Sequence, residues 1–109
     1  MLAPFRSIGE SMDEKDLIYI AAFWEGEGHA GIYSQSLHKK LALLEVGIDQ
    51  KDPLVLYWIK DVTGYGNIRK DNRGCGLFRW RVKGKKAKKF LTVIYPYLKF
   101  RKQQIGVLI

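Results

Sequence analysis

The sequence predicts an α+β domain of order α-β-β-α-β-β-α(α), with two hairpins forming a four-stranded antiparallel sheet that carries its helices on one face. Three observations lead there. An apolar, helix-like run over residues 17–24 changes after Gly28 to a period of two. A second helical pattern, Leu54 to Val62, separates two pairs of alternating segments. A basic helical stretch from Lys85 to Tyr95 follows the last strand and is broken by Pro96. At 109 residues the chain makes one domain with a modest core.

Residues 1–10 read as an N-terminal arm and residues 11–109 as the single domain. Ser11-Met12-Asp13-Glu14 has the form of a capping box, a serine oxygen for the first free N–H groups and a glutamate three residues on that reaches back. The helix it opens is apolar almost all round, from Leu17 to Trp24, so one side should pack on the domain and another on a partner. Ala22 and Gly26 are small residues four apart on one face, a spacing that lets a second helix approach closely. In the first hairpin Ala30, Ile32 and Ser34 share one face and Gly31, Tyr33 and Gln35 the other. A short loop at residues 36–39 leads to a strand that runs to about Gln50, with Leu44, Val46 and Ile48 inward and Glu45 and Gly47 outward. Leu41 and Leu43 share the outward parity, although polar side chains are expected there. Asp52-Pro53 starts the second helix, which ends at Gly64. The second hairpin spans Gly66–Asp71 and Leu77–Val82, with its turn at residues 72–76. Gly84 precedes the basic helix, and a last helix is expected from Tyr97 to Ile109.

The formal net charge is +8 and is unevenly spread. Residues 1–59 hold five Lys/Arg against nine Asp/Glu, while residues 60–109 hold fourteen Lys/Arg against two Asp. So uneven a balance calls for an anionic partner. The outward sheet face would carry Tyr33, Gln35, Glu45, Asn67, Arg69, Asp71, Arg79 and Arg81, donors and acceptors suited to base edges in a major groove. No apolar run is long enough to span a bilayer, and no signal-peptide layout is read at the N-terminus. The single cysteine, Cys75, excludes an internal disulfide and fits a reducing, intracellular setting. His29 and His38 have no partner at metal-ligand spacing, so no zinc site is assigned.

Glu25-Gly26-Glu27-Gly28 poses a chemical question. A helix C-terminus carries partial negative charge, so two carboxylates are out of place there. A hard divalent cation would reconcile them, since it takes carboxylate and carbonyl oxygens. One such acid per chain is too few for phosphodiester hydrolysis, but two chains meeting through Ala22 and Gly26 would bring two Glu27 side chains together.

Residues 20–28, IAAFWEGEG, resemble the nine-residue signature of the LAGLIDADG homing endonucleases, which ends the first helix of that family. Over roughly residues 15–105, four further stretches are similar in order: IDQKDPLVLYWI, TGYGNIRKD, FRWRV and YPYLKFRKQQ. Ala22 stands where the signature has glycine, and Glu25 and Glu27 where it has aspartates. The resemblance implies a homodimer whose signature helices form the interface (Ile18, Ala22, Glu25, Gly26) and whose sheets form a saddle over double-stranded DNA. It implies a metal-dependent, site-specific endonuclease acting on a palindromic or pseudo-palindromic site. Its cofactor would be Mg²⁺, with Mn²⁺ possible and Ca²⁺ a non-catalytic substitute, and with no small-molecule cofactor and no membrane partner. Carried over by position, Glu27 and the Gly26 carbonyl hold the metal, Glu25 supports the turn, Gln50 lies near the attacking water, and Arg101 supports water activation or transition-state charge. Lys99 and Lys102 flank Arg101 and join the DNA-contacting set. An intron-encoded enzyme of an organelle, a prokaryote or a phage is the setting the resemblance implies. Two rivals remain open: a non-cleaving binder on the same scaffold, such as an RNA-splicing maturase or DNA-binding regulator, and an unrelated basic RNA-binding α+β module.

Overall fold

A computed structural model describes residues 13–34, 42–71 and 76–109. The N-terminal arm, Ser11, Gln35, the loop with His38, Leu41 and the turn with Cys75 lie outside the described residues. The elements are α1 (Glu14–Glu27), β1 (Gly28–Ser34), β2 (Ala42–Gln50), α2 (Leu54–Thr63), β3 (Asn67–Lys70), β4 (Phe78–Lys83), α3 (Lys85–Ile94), a 3₁₀ turn (Tyr95–Tyr97) and α4 (Lys102–Leu108). The order is the expected one.

The strands form one antiparallel sheet in the order β1-β2-β4-β3. The two hairpins therefore meet through β2 and β4, where Val46 faces Val82 and Ile48 faces Trp80. Those four side chains point to the helical face. They pack with Ile20 and Trp24 of α1, Leu56 and Ile59 of α2, and Phe90, Leu91 and Ile94 of α3, all buried. Burying each such side chain contributes about 1.5–3 kcal/mol. The Trp80 and Phe90 rings meet edge-on at 5.2 Å, which ties sheet to helix at the centre of the core.

Several local expectations change. The N-cap of α1 is Asp13, whose carboxylate accepts from the Lys15 N–H at 3.2 Å, in the place the capping box assigned to Ser11. Asp52 accepts from the Leu54 N–H at 3.0 Å, and Gly64 closes α2 at φ 76°, the left-handed conformation glycine adopts readily. Ile32 has the inward parity but is 56% exposed, because it lies on the edge strand two residues beyond Ala30, which still packs on the core. The last helix starts at Lys102 rather than Tyr97. After Pro96 the chain extends at Leu98, and the N–H groups of Lys99, Phe100 and Arg101 turn to the Glu25 carboxylate. Among the described residues, no helix is long and apolar enough to cross a membrane.

Candidate active site and sheet face

The end of α1 gathers residues from three distant parts of the chain. Its last helical bond runs from the Gly28 N–H to the Trp24 carbonyl, so the carbonyls of residues 25–27 lie beyond the helical ladder. Glu27 is exposed there, and the Gln50 side-chain amide donates to its Oε1 at 2.8 Å. Two residues 23 apart in sequence thus share one site, Gln50 arriving at the last position of β2.

Arg101 closes the other side. Its Nη1 donates to the Gly28 carbonyl at 2.6 Å and approaches that of Glu25 at 3.4 Å, while Nε donates to Gln104 at 3.0 Å. The guanidinium lies 4.3 Å from the centre of the Trp24 ring. A cation on these carbonyls offsets the negative end of the helix. Lys99 and Lys102 do not share this position: Lys102 lies over the Tyr95 ring at 5.7 Å, and both lysines are exposed. Of these three basic side chains, Arg101 is the one bonded to the helix-end carbonyls among the described residues.

Glu25 has different partners from Glu27. Both its oxygens accept from the Lys99 N–H, at 3.0 and 2.8 Å, and Oε2 also accepts from the N–H groups of Phe100 and, at 2.8 Å, Arg101. Burial pushes its carboxyl up, but the three N–H donors and the Arg101 charge outweigh it and hold the group below the usual carboxylate range. The sequence reading gives Glu25 two places, a support for the turn and the helix–helix contact; within the chain its carboxylate braces the segment that carries Arg101.

Ile18, Ala22 and Gly26 form an exposed stripe on α1. A Cβ placed on Gly26 would meet nothing within 4 Å, so the chain's own packing does not require glycine there. Among the described residues, no group of three His, Cys, Asp or Glu could hold a metal. What one chain offers a hard cation is the Glu27 carboxylate and the free helix-end carbonyl of Gly26, which fits half of a shared site.

The helix-free face of the sheet carries the odd-numbered residues of every strand. Asn67 pairs in register with Arg81, Arg69 with Arg79, and Tyr33 with Leu43. Leu43 thus holds the outward parity expected of it. Among the described residues, three acid–base pairs tie the face together: Arg79–Asp71 at 2.8 Å, Arg81–Asp49 at 2.7 Å and Lys83–Glu45 at 3.6 Å. A depression of about 680 Å³ is lined by Lys60, Asn67, Arg69, Arg79, Lys83 and Lys86 among others. His29 is half-buried on this face; burial and the Arg81 charge lower its pKa, against the raising effect of Asp49 and Glu45, so it is neutral at physiological pH. Asp49 is missing from the set of face residues read from the sequence, although it shares the parity of Glu45 and Gly47.

No protein-family model matches the sequence, and no curated protein matches it. Solved structures do match. The homing endonuclease I-CvuI, in complex with DNA in the presence of Mg, superposes with a TM-score of 0.75 at 22% identity, over 87% of this chain and 64% of that one. The archaeal intron-encoded homing endonuclease I-Vdi141I, complexed with DNA, gives 0.71 at 22% identity, over 85% and 64%. The LAGLIDADG meganuclease I-AabMI, bound to uncleaved DNA, gives 0.64 at 25% identity, over 84% and 34%. The chain therefore spans just under two thirds, 64%, of the first two structures it matches. With a helix that ends in Glu-Gly-Glu-Gly running into two hairpins of one sheet, this chain has the fold of the LAGLIDADG homing endonucleases.

Proposed function

We propose that the protein is a divalent-metal-dependent, site-specific endonuclease of double-stranded DNA, and that it works as a homodimer on a palindromic or pseudo-palindromic site. The observation that carries this reading is the meeting of Glu27, Gln50 and Arg101 at the exposed end of α1, beside a sheet face rich in arginine. The DNA complexes of proteins with this fold support it, one of them formed with Mg and another with Ca.

In this reading two α1 helices meet through Ile18, Ala22 and Gly26, and two Glu27 side chains come to one twofold axis. Mg²⁺ held there by Glu27 and the Gly26 carbonyl would supply charge stabilisation to an in-line displacement at phosphorus. Gln50 holds the Glu27 carboxylate at a fixed angle and presents an amide toward the attacking water. Arg101 places a permanent positive charge beside the scissile phosphate. The Glu25 brace holds Arg101 there. Tyr33, Asn67, Arg69, Asp71, Arg79 and Arg81 would face bases, with Lys99 and Lys102 on the backbone; Gln35, assigned to the same set, lies outside the described residues.

Glu27→Gln is the test. Cleavage of a selected duplex in Mg²⁺ should fall by at least about a hundredfold, the scale of losing one charge-stabilising group, while duplex affinity in Ca²⁺ stays within a few-fold of the parent. Cutting at the parent's rate would remove Glu27 from the reaction.

A further inference from the structure

Resting on the reading of the sheet as a duplex interface, we propose that Asp49 is a specificity-determining residue, and that Asp49 and Arg81 together read one G·C base pair in each half-site, next to the point of cleavage.

Arg81 is not a free side chain. Its Nη1 donates to Asp49 Oδ1 at 2.7 Å and to the Trp80 carbonyl at 3.0 Å, which uses both protons of that nitrogen. Nε and Nη2 have no partner among the described residues, which leaves their N–H groups as a two-donor edge for a ligand. The pair is held over Gly47, which faces Arg81 in the ladder. A Cβ on Gly47 would lie 2.6 Å from Arg81 Nη1 and 2.7 Å from His29 Cε1. The missing side chain of glycine therefore leaves the space that the Arg81 side chain and the His29 ring occupy. The two side chains are 22% and 32% exposed, partly dried yet still open to a ligand.

The major-groove edge of G·C offers two acceptors on guanine, N7 and O6, and one donor on cytosine, N4. A guanidinium fork with a carboxylate fixed at its side presents the complement, two donors and an acceptor. An A·T pair instead places a donor between two acceptors, so one arginine N–H or the carboxylate meets its own kind. A partly buried carboxylate facing an acceptor is strongly disfavoured, which makes Asp49 a means of rejecting wrong pairs as well as holding Arg81. The position follows from the strand: Asp49 directly precedes Gln50, which binds Glu27, so the pair stands at the end of β2 nearest the catalytic acid.

The experiment is selection of bound duplexes from a randomised palindromic library in Ca²⁺, with the parent, Asp49→Asn, Asp49→Ala, Arg81→Lys and Gly47→Ala. The parent should fix one G·C position per half-site by about 5- to 150-fold, the range of a good bidentate contact. Both Asp49 variants and Arg81→Lys should bring that same position below about threefold and leave the other positions as selective as before. Those other positions also show that each variant folds. In Asp49→Asn, Arg81 keeps the amide oxygen and turns the amide N–H₂ toward cytosine, donor against donor. Gly47→Ala should weaken the same position by displacing the fork. Retained preference in the Asp49 variants, relaxation at different positions for Asp49 and Arg81, or no G·C position in the parent's selection would overturn the assignment and leave the endonuclease reading standing. Failure of the parent to select any sequence would overturn that reading and this inference with it.

Discussion

Glu25 and Glu27 stand two residues apart at one helix end, yet their partners differ. Among the described residues Glu27 has one neutral donor, the Gln50 amide, and its side chain is exposed. Glu25 has three backbone N–H donors from residues 99–101. That contrast predicts separate phenotypes. Glu25→Gln should destabilise the fold by about 1–2 kcal/mol, the lower part of the range for bonds to a charged acceptor because solvent screens the group. A denaturant midpoint at neutral pH would measure it. The sign with pH follows from the lowered carboxyl pKa. The stabilisation is complete above the ordinary carboxylate value and is lost as pH falls through the lower folded value, so the gap between parent and Glu25→Gln should shrink once the pH drops below the ordinary carboxylate range and vanish below the folded value. A gap independent of pH would mean the charge is not what braces the segment. The sequence marks both acids as misplaced at a helix end, but not which is structural, because the donors that decide it lie more than 70 residues away.

Two glycine–tryptophan contacts set the junctions between elements. Gly28 passes α1 into β1 against Trp24, whose indole occupies the space a Cβ there would need. Gly66 leads into β3 at φ 107°, and a Cβ there would collide with Trp80 Nε1, the nitrogen that donates to the Tyr65 carbonyl at 3.0 Å. Gly66→Ala combines backbone strain with displacement of a buried indole and should cost about 2–4 kcal/mol. For a domain of this size that lowers the thermal midpoint by roughly 10 °C or more, read by melting the variant beside the parent. Element types are legible because helix and strand periods differ over most of the chain, and Asp52-Pro53 and Gly64 punctuate α2 as local chemistry requires. The start of α4 is not legible. Its pattern of Leu98, Arg101, Lys102 and Ile105 suits a helix from Tyr97, and only the distant Glu25 carboxylate draws the amides of residues 99–101 out of one. The pairing of the outward face is intermediate: parity locates its residues, but that Asp49 holds Arg81 depends on β2 lying beside β4.

At the scale of the molecule, the acidic first half and basic second half interlock across β2 and β4, where Asp49 and Glu45 meet Arg81 and Lys83. The exposed lysines that line the basin, Lys60 and Lys86, have no carboxylate partner among the described residues and suit phosphate oxygens. If the sheet face binds duplex DNA as proposed, replacing both with alanine should weaken every duplex alike and lower the slope of log affinity against log salt by about 1 for each phosphate no longer neutralised, measured by titration across a salt series. A change confined to one sequence would make them base readers instead.

Gly26 gives the sharpest molecular-scale prediction, because the isolated chain and the assembly should respond in opposite directions. Inside one chain a Cβ at Gly26 has open space, and alanine in a helix is favoured over glycine by up to about 1 kcal/mol. Gly26→Ala should therefore leave the dilute chain as stable as the parent, or more so. If the stripe of Ile18, Ala22 and Gly26 is where two α1 helices meet, the same methyl group separates the backbones at their closest approach and pulls the paired Glu27 side chains apart. Sedimentation should then show weaker self-association, and cleavage of both strands should fall together. Ala22→Leu, four residues earlier on the stripe, should act in the same sense and more strongly. Self-association unchanged in both variants would place the contact between copies elsewhere on the surface, and each Glu27 would then have to act without a second acid beside it.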